Sequence, residues 1–327
     1  MSGKDMVANS KLASLSEEEV KRIRMLCDVS DAIGSYLTLK ELLSLVPLEI
    51  SESALSENWG AFVGLERYRI SSGMIINKEH EDRDLGAIRE EEWDKISRAN
   101  RNLKHSMNFS NLCSHIGLKV LSVSGSTSYL SVTRDGDLDF FCIMNEEAIW
   151  PSLVKFLLLA RAFRIVNRGS PPICLSYVVD EEFAIREFTK HQDGLFARDA
   201  LYTRILRGRN YYSHLLKLSP WMEEYFPKMY RERTERIPVE NVTINSGSHF
   251  QKIVNLFVYF TAGSYIKLKS YLLNRKYAKE KRWSSLFRVR VAEDHCIYES
   301  AKYLNLKKLY EPMDKGQKLR DTAKKKS

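Results

Sequence analysis

The residues of this chain best suited to chemistry are Asp137 and Asp139. They stand in Asp135-Gly136-Asp137-Leu138-Asp139-Phe140-Phe141, where Asp-Gly signals a turn and the apolar run after it reads as a strand. Alternation with a period of two puts both carboxylates on one face of that strand. Leu138 and Phe140 then point the other way, into apolar packing. Two carboxylates side by side repel each other unless one is protonated or a cation lies between them. A pair of Mg²⁺ ions about 3.5–4 Å apart is the usual way such a pair is used to move a phosphoryl or nucleotidyl group. Asp135 and Asp137 form a second Asp-x-Asp, but the hydrophobic run after Asp139 favours the later pair. The bland alternative is an acidic hairpin turn whose aspartates only cap or solvate the loop.

Two neighbouring features must position that pair. Leu118–Val123 is an apolar, β-branched run that reads as a buried strand. It leads into Gly125-Ser126, small residues that let backbone approach a bound group closely. A ten-residue stretch separates them from Asp137. Strand, Gly-Ser, spacer and Asp-x-Asp strand, in that order, resemble the signature of the DNA polymerase β-like nucleotidyltransferase superfamily. The resemblance implies that Gly125 and Ser126 contact a nucleoside triphosphate and that Asp137 and Asp139 are catalytic ligands of Mg²⁺ or Mn²⁺. It also implies a third carboxylate on a later strand, as metal ligand or base. The apolar run Ile173–Val179 has none, so Asp180 and Glu187 are the nearest candidates, each with an ordinary turn or surface role as the alternative. Arg161, near the end of the helix expected over Glu146–Ala162, is a candidate triphosphate contact; a cation favoured by the helix C-terminus is the alternative.

The whole chain also resembles a family of uncharacterised prokaryotic proteins with a winged-helix segment ahead of a nucleotidyltransferase domain. The stretches that carry this are CDVSDAIGSYLTLKEL (27–42), VSGSTSYLSVTRDGDLDFFCI (123–143), ICLSYVVD (173–180) and FARDALYTRILRGRNYYSHLLKLSPWMEEYFP (196–227). The chain departs from the pattern at Ser176, where Asn is common, and at Ala32-Ile33-Gly34-Ser35, which replaces a turn containing proline.

Length and composition set the frame. With 327 residues, 44% hydrophobic and 28% charged, the chain has room for two or three domains around a substantial core. No apolar run approaches about 18 residues, and the amino terminus is polar, so a cytoplasmic protein without a membrane span is expected. Five scattered cysteines, Cys27, Cys113, Cys142, Cys174 and Cys296, lack CxxC spacing and read as buried apolar fillers. The net charge of +9 suggests a polyanionic partner, yet Lys315–Ser327 alone holds six basic residues and one acidic one.

In order, residues 1–15 read as disordered and 16–78 as a winged-helix-like module. That module comprises a helix from Ser16 to about Ile33, a helix capped by Thr38 with Glu41 completing a capping box, a third helical segment within 51–62, and a hairpin turning at Ser71–Gly73. The third segment carries Glu52 and Glu57, which would repel DNA phosphates, so a packing role is the better reading. Residues 79–116 read as a connecting helix with Trp93 anchored in the core. Residues 117–190 form the nucleotidyltransferase core, with further strands expected at Phe163–Val166 and Ile173–Val179 and with Phe183–Phe188 pairing back. Residues 191–311 read as a helical domain, including a long apolar helix over Ser248–Leu273 and a closing helix over His295–Tyr310. Residues 312–327 read as a basic disordered tail. Basic residues interleaved with Tyr271, Tyr277 and Trp283 over 267–290 suit nucleic-acid or acceptor binding.

The expected class is therefore α+β: a winged-helix-like module, a mixed β-sheet flanked by helices, and a helical carboxyl part. The expected activity is transfer of a nucleoside monophosphate from an NTP to a hydroxyl acceptor, with release of pyrophosphate. The alternative is a catalytically degenerate fold acting as a regulator or a nucleotide- or RNA-binding protein.

Overall fold

The computed structural model describes residues 15–46, 48, 50–62, 64–80, 84–235 and 248–324. Residues 1–14 and 325–327, parts of the segments expected to be disordered, lie outside the described residues.

The chain opens with helix α1 (Glu17–Ile33), whose start is fixed by a capping box. The Ser16 hydroxyl accepts from the Glu19 N–H at 3.3 Å, and the Glu19 carboxylate accepts from the Ser16 N–H at 2.7 Å. Strand β1 (Leu37–Thr38), helices α2 (Leu39–Leu45) and α3 (Glu52–Glu57), and strands β2 (Tyr68–Ser71) and β3 (Met74–Asn77) follow, and the strands pair antiparallel in the order β1-β3-β2. Thr38 caps α2 as its sequence suggests, accepting from the Glu41 N–H at 3.1 Å. The Glu41 carboxylate, in turn, accepts from the Tyr202 hydroxyl at 3.0 Å, tying this amino-terminal part to the helices far along the chain.

Helix α4 (Leu85–Leu112) buries Ile88, Ala99 and Phe109. Trp93, expected in the core, is 70% exposed. It lies five residues after Ile88, about 140° further round the helix, and so off the buried stripe. Lys95 comes closer to that stripe and is buried instead, donating to the Gly34 carbonyl at 2.7 Å and pairing with Glu91 at 2.7 Å.

The main sheet begins with β4 (Leu118–Val123), passes a short turn of helix α5 (Gly125–Ser128), and returns antiparallel as β5 (Leu138–Met144). Helix α6 (Ile149–Val166) crosses over to β6 (Ile173–Val179), which pairs parallel with β5. The segment Phe163–Val166, expected as a strand, is the last turn of α6, where Phe163 is buried. Next come α7 (Glu181–Thr189), α8 (Gly194–Tyr202), β7 (Arg204–Arg207), α9 (Arg209–Lys217), α10 (Trp221–Tyr225) and α11 (Pro227–Thr234). Phe183–Phe188 is helical, not a returning strand. The Asp180 carboxylate accepts from the Phe183 N–H at 2.8 Å and so starts α7.

Helix α12 (His249–Val258) runs through a π turn (Tyr259–Gly263) into α13 (Ser264–Lys279). Strands β8 (Phe287–Val291) and β9 (His295–Ser300) then lead to helix α14 (Ala301–Lys324). The first residues expected as the closing helix are thus a strand, and the backbone expected as a disordered tail is helical as far as Lys324. The strand order is β7-β4-β5-β6-β9-β8, so half of the six-stranded sheet comes from the stretch expected to be wholly helical. Phe287-Arg288-Val289-Arg290-Val291 alternates apolar and basic residues, the signature of a half-buried strand, and it pairs with β9 rather than standing alone.

The sheet separates two cores. On one face, Phe140 meets Phe109 and Phe156 with ring centroids 5.6 and 5.8 Å apart, beneath α4 and α6. Truncating a buried ring of this kind costs about 3–5 kcal/mol. On the other face, Phe141, Ile143 and Val179 share one continuous core with α1–α3 and α7–α11. Among the described residues, no helix is long and apolar enough to cross a membrane.

Candidate functional site

Asp139 lies in β5 on the face opposite Phe140, as the alternation requires, and Asp137 sits just ahead of that strand. β5 and β6 pair so that Asp139 is opposite Cys174. Ligand atoms of Asp137, Asp139 and Cys174 all lie within 4.8 Å of one another. Further along, the register shifts: Phe140 faces Leu175, but Phe141 faces Tyr177, leaving Ser176 as an extra residue. The bulge is closed by the Ser176 hydroxyl, which donates to the Phe140 carbonyl at 3.2 Å. Cys174, Ser176 and Tyr177 thereby all line the same cavity.

That cavity has a volume of about 690 Å³, within the ordinary range for small-molecule sites. Ser124, Gly125, Ser126, Asp135, Asp137 and Asp139 form one wall. Gly125 has φ +60°, and a Cβ there would stand 2.5 Å from Asp139 Oδ2. Only glycine permits so close an approach of the turn to the carboxylate. Arg290, Tyr298, Lys302 and Tyr303, from β8, β9 and α14, also line the cavity. Val29 and Ile33 of α1 also reach the cavity, and Lys302 donates to the Ile33 carbonyl at 3.3 Å, so the amino-terminal part walls the site.

The electrostatics are one-sided around the carboxylates. Burial, and next the charge on Asp137, hold the Asp139 carboxyl well above the usual carboxylate range, while a hydrogen bond with Cys174 pulls it partly back. The other charged neighbour acting on it, Asp199, is negative too. No ion pair holds Asp137 or Asp139 among the described residues. A site with this donor set fits a divalent cation: it offers two carboxylates and a sulfur, and no side-chain cation occupies it.

The other expected site residues are dispersed. Glu187, on α7, lines the cavity, and its carboxylate accepts from the Gln192 amide at 3.0 Å. Asp180 is the buried cap of α7 and does not line the cavity. Arg161 is exposed on α6, the helix that covers the opposite face of the sheet, so the structure does not bring it to the carboxylates. Gly125, Ser126, Asp137 and Asp139 do come together.

Two groups of the site carry no functional signal in the sequence. Cys174 reads there as a filler, although its place next to Leu175 in a strand sets it on the face opposite that core residue. Asp199, on α8, accepts a hydrogen bond from the Tyr129 hydroxyl, and burial pushes its carboxyl up to about 6. No short-range pattern marks it, because α8 meets β5 only through the tertiary fold. Compared with known proteins, the chain matches no family model, no curated protein and no solved structure.

Proposed function

We propose that the protein is a metal-dependent nucleotidyltransferase that moves a nucleoside monophosphate from an NTP to a hydroxyl acceptor and releases pyrophosphate. The observation that carries this reading is the convergence of Asp137 and Asp139 beside the Gly125-Ser126 turn in a cavity of about 690 Å³. Asp137 and Asp139 would hold the cation, Mg²⁺ or Mn²⁺, which supplies Lewis-acid neutralisation of the phosphate charge. Gly125 and Ser126 offer backbone N–H and hydroxyl donors to the triphosphate and orient it for in-line attack on the α-phosphorus. Glu187 and Asp199 also line the cavity and are the chain's candidates for taking the acceptor's proton. In this reading the six-stranded sheet is a nucleotidyltransferase core. The three helices and small sheet ahead of it form a winged-helix-like module whose work is to wall the site, not to enter DNA.

Purified protein incubated with each NTP and Mg²⁺ or Mn²⁺ should release pyrophosphate, and Asp137→Ala should abolish the release. Wild-type turnover by Asp137→Ala would sink the proposal.

One observation favours a second reading. Cys174 stands opposite Asp139, on the neighbouring strand, where the resemblance leads one to expect a third carboxylate. A degenerate fold that binds nucleotide or RNA without turnover would account for it. ATP or CTP raising the melting temperature with no pyrophosphate formed, across all acceptors tried, would favour that reading.

A further inference from the structure

We propose that Cys174 supplies a sulfur ligand to the cation held by Asp137 and Asp139, so that the site selects a thiophilic divalent ion over Mg²⁺. The inference rests on the reading that the two aspartates bind a cation, and it goes further by naming the third donor and the class of ion.

Geometry is the first support. The Asp139–Cys174 pairing across two parallel strands fixes the relative positions of both Cα atoms, and the bulge at Ser176 begins only beyond it. The three ligand atoms lie within 4.8 Å of one another. At ligand bonds of about 2.0–2.3 Å the donors of one tetrahedral ion stand about 3.3–3.8 Å apart, so side-chain shifts of up to about 1 Å close the site. Cys174 is also the only one of the five cysteines that is not fully buried, as befits a thiol facing a cavity.

The second support is charge. The carboxylates face no side-chain cation among the described residues, and the next charged group acting on Asp139 is Asp199, also an acid. On the same cavity, Arg198 is 3% exposed, and its Nε is buried with no hydrogen-bond partner among the described residues. The cavity therefore presents a cation-seeking cluster together with a buried guanidinium that has a donor to spare. This is the arrangement expected for an ion and an anionic guest bound together.

The chemistry of sulfur then decides the ion. Mg²⁺ is hard, takes oxygen ligands and gives up its water reluctantly. Thiolate ligands favour softer ions such as Zn²⁺, and Co²⁺ and Cd²⁺ serve as probes of the same preference. As the metal–sulfur bond forms, the thiol proton passes to solvent.

The test uses the full-length protein and the metal ions alone. Titration with Co²⁺ should produce a sulfur-to-cobalt charge-transfer absorption in the near ultraviolet that is lost in Cys174→Ser. Calorimetry should show Cd²⁺ binding weakened at least tenfold in Cys174→Ser, with Mg²⁺ binding little changed. Cys174→Asp should reverse the preference and strengthen Mg²⁺ binding. Circular dichroism confirms that each variant is folded. Co²⁺ binding that depends on Asp139 but gives no charge-transfer band overturns the proposal and leaves the aspartate site standing. An unchanged Cd²⁺-to-Mg²⁺ ratio in Cys174→Ser does the same. Failure of every divalent ion to bind overturns both this proposal and the metal-dependent reading on which it rests.

Discussion

Gly125 is packed so tightly under Asp139 that a Cβ on it would lie 2.5 Å from the carboxylate Oδ2. Its φ of +60° adds a second reason for glycine, since a side chain there costs about 1–2 kcal/mol. Gly125→Ala should therefore fold, with a melting temperature lowered by several degrees, and should lose divalent-ion affinity by about tenfold or more as Asp139 is pushed aside. Scanning calorimetry reads the first effect and titration calorimetry the second. Unchanged ion affinity would show that the close approach has no part in holding the carboxylate for its ligand.

Asp137→Asn and Asp139→Asn separate chemistry from folding. Each removes one of two repelling charges, so thermal stability should hold or rise. Pyrophosphate release should nevertheless fall by on the order of a thousand-fold, equivalent to about 4 kcal/mol of transition-state stabilisation. A loss of activity that merely tracked a loss of folded protein would remove these residues from the mechanism.

Asp180 gives the clearest pH effect. Burial pushes its carboxyl from 3.8 up to about 6, although the Phe183 N–H opposes the shift. The folded state thus holds the proton more firmly than the unfolded chain. Stability from this group is fully present below about pH 4, declines as pH rises, and is gone above about pH 6. Asp180→Asn keeps an oxygen to cap α7 and removes the buried charge. It should match the wild type near pH 4 and exceed it at pH 7.5 by on the order of 1–2 kcal/mol. Urea denaturation at the two pH values checks this, and an equal loss at both would mean that the carboxyl is needed as a cap whatever its charge, since near pH 4 it is protonated in the fold.

The parts of this molecule that could be read from sequence are those fixed by local rules. Ser16 and Thr38 cap helices because their hydroxyls reach an N–H three residues on. Asp139 and Phe140 face opposite ways because a strand alternates. The parts that could not be read depend on distant partners. Phe183–Phe188 has the apolar content of a strand, yet the cap at Asp180 and the Glu181-Glu182 first turn commit it to α7. Phe287–Val291 and His295–Ser300 become strands because each finds the other, and β9 finds β6. Cys174 acquires its neighbours only when β6 lies parallel to β5, after an eighteen-residue helical crossover. Apolar side chains mislead in the same way. Phe250 and Phe257 of α12 are 73% and 69% exposed, in the stretch that the sequence alone reads as one long apolar helix.

The basic stretch 267–290 divides in the fold, and the division shapes the last prediction. Arg290 lines the cavity, whereas Lys267, Lys269, Lys276 and Lys279 sit on α13, the helix that also carries Tyr271; Tyr271 and Trp283 are each 61% exposed. Lys269 already lies over the Tyr265 ring at 5.8 Å, and Arg282 over Tyr277 at 4.9 Å. Exposed rings among cations form a surface on which single-stranded bases can stack while the lysines meet phosphates. If RNA uses this face, its affinity should fall with salt, the logarithmic slope shrinking by about 0.7 for each phosphate-contacting lysine changed to glutamine. Changing all four should flatten the slope by up to about 3, and Tyr271→Ala or Trp283→Ala should each cost about 1–3 kcal/mol. Fluorescence anisotropy with a labelled single-stranded RNA at several salt concentrations measures each. A slope unaltered by the four glutamines would leave α13 without a role in nucleic-acid binding, while ion binding at Asp137 and Asp139 should be untouched either way, because their cavity lies on the other side of the sheet.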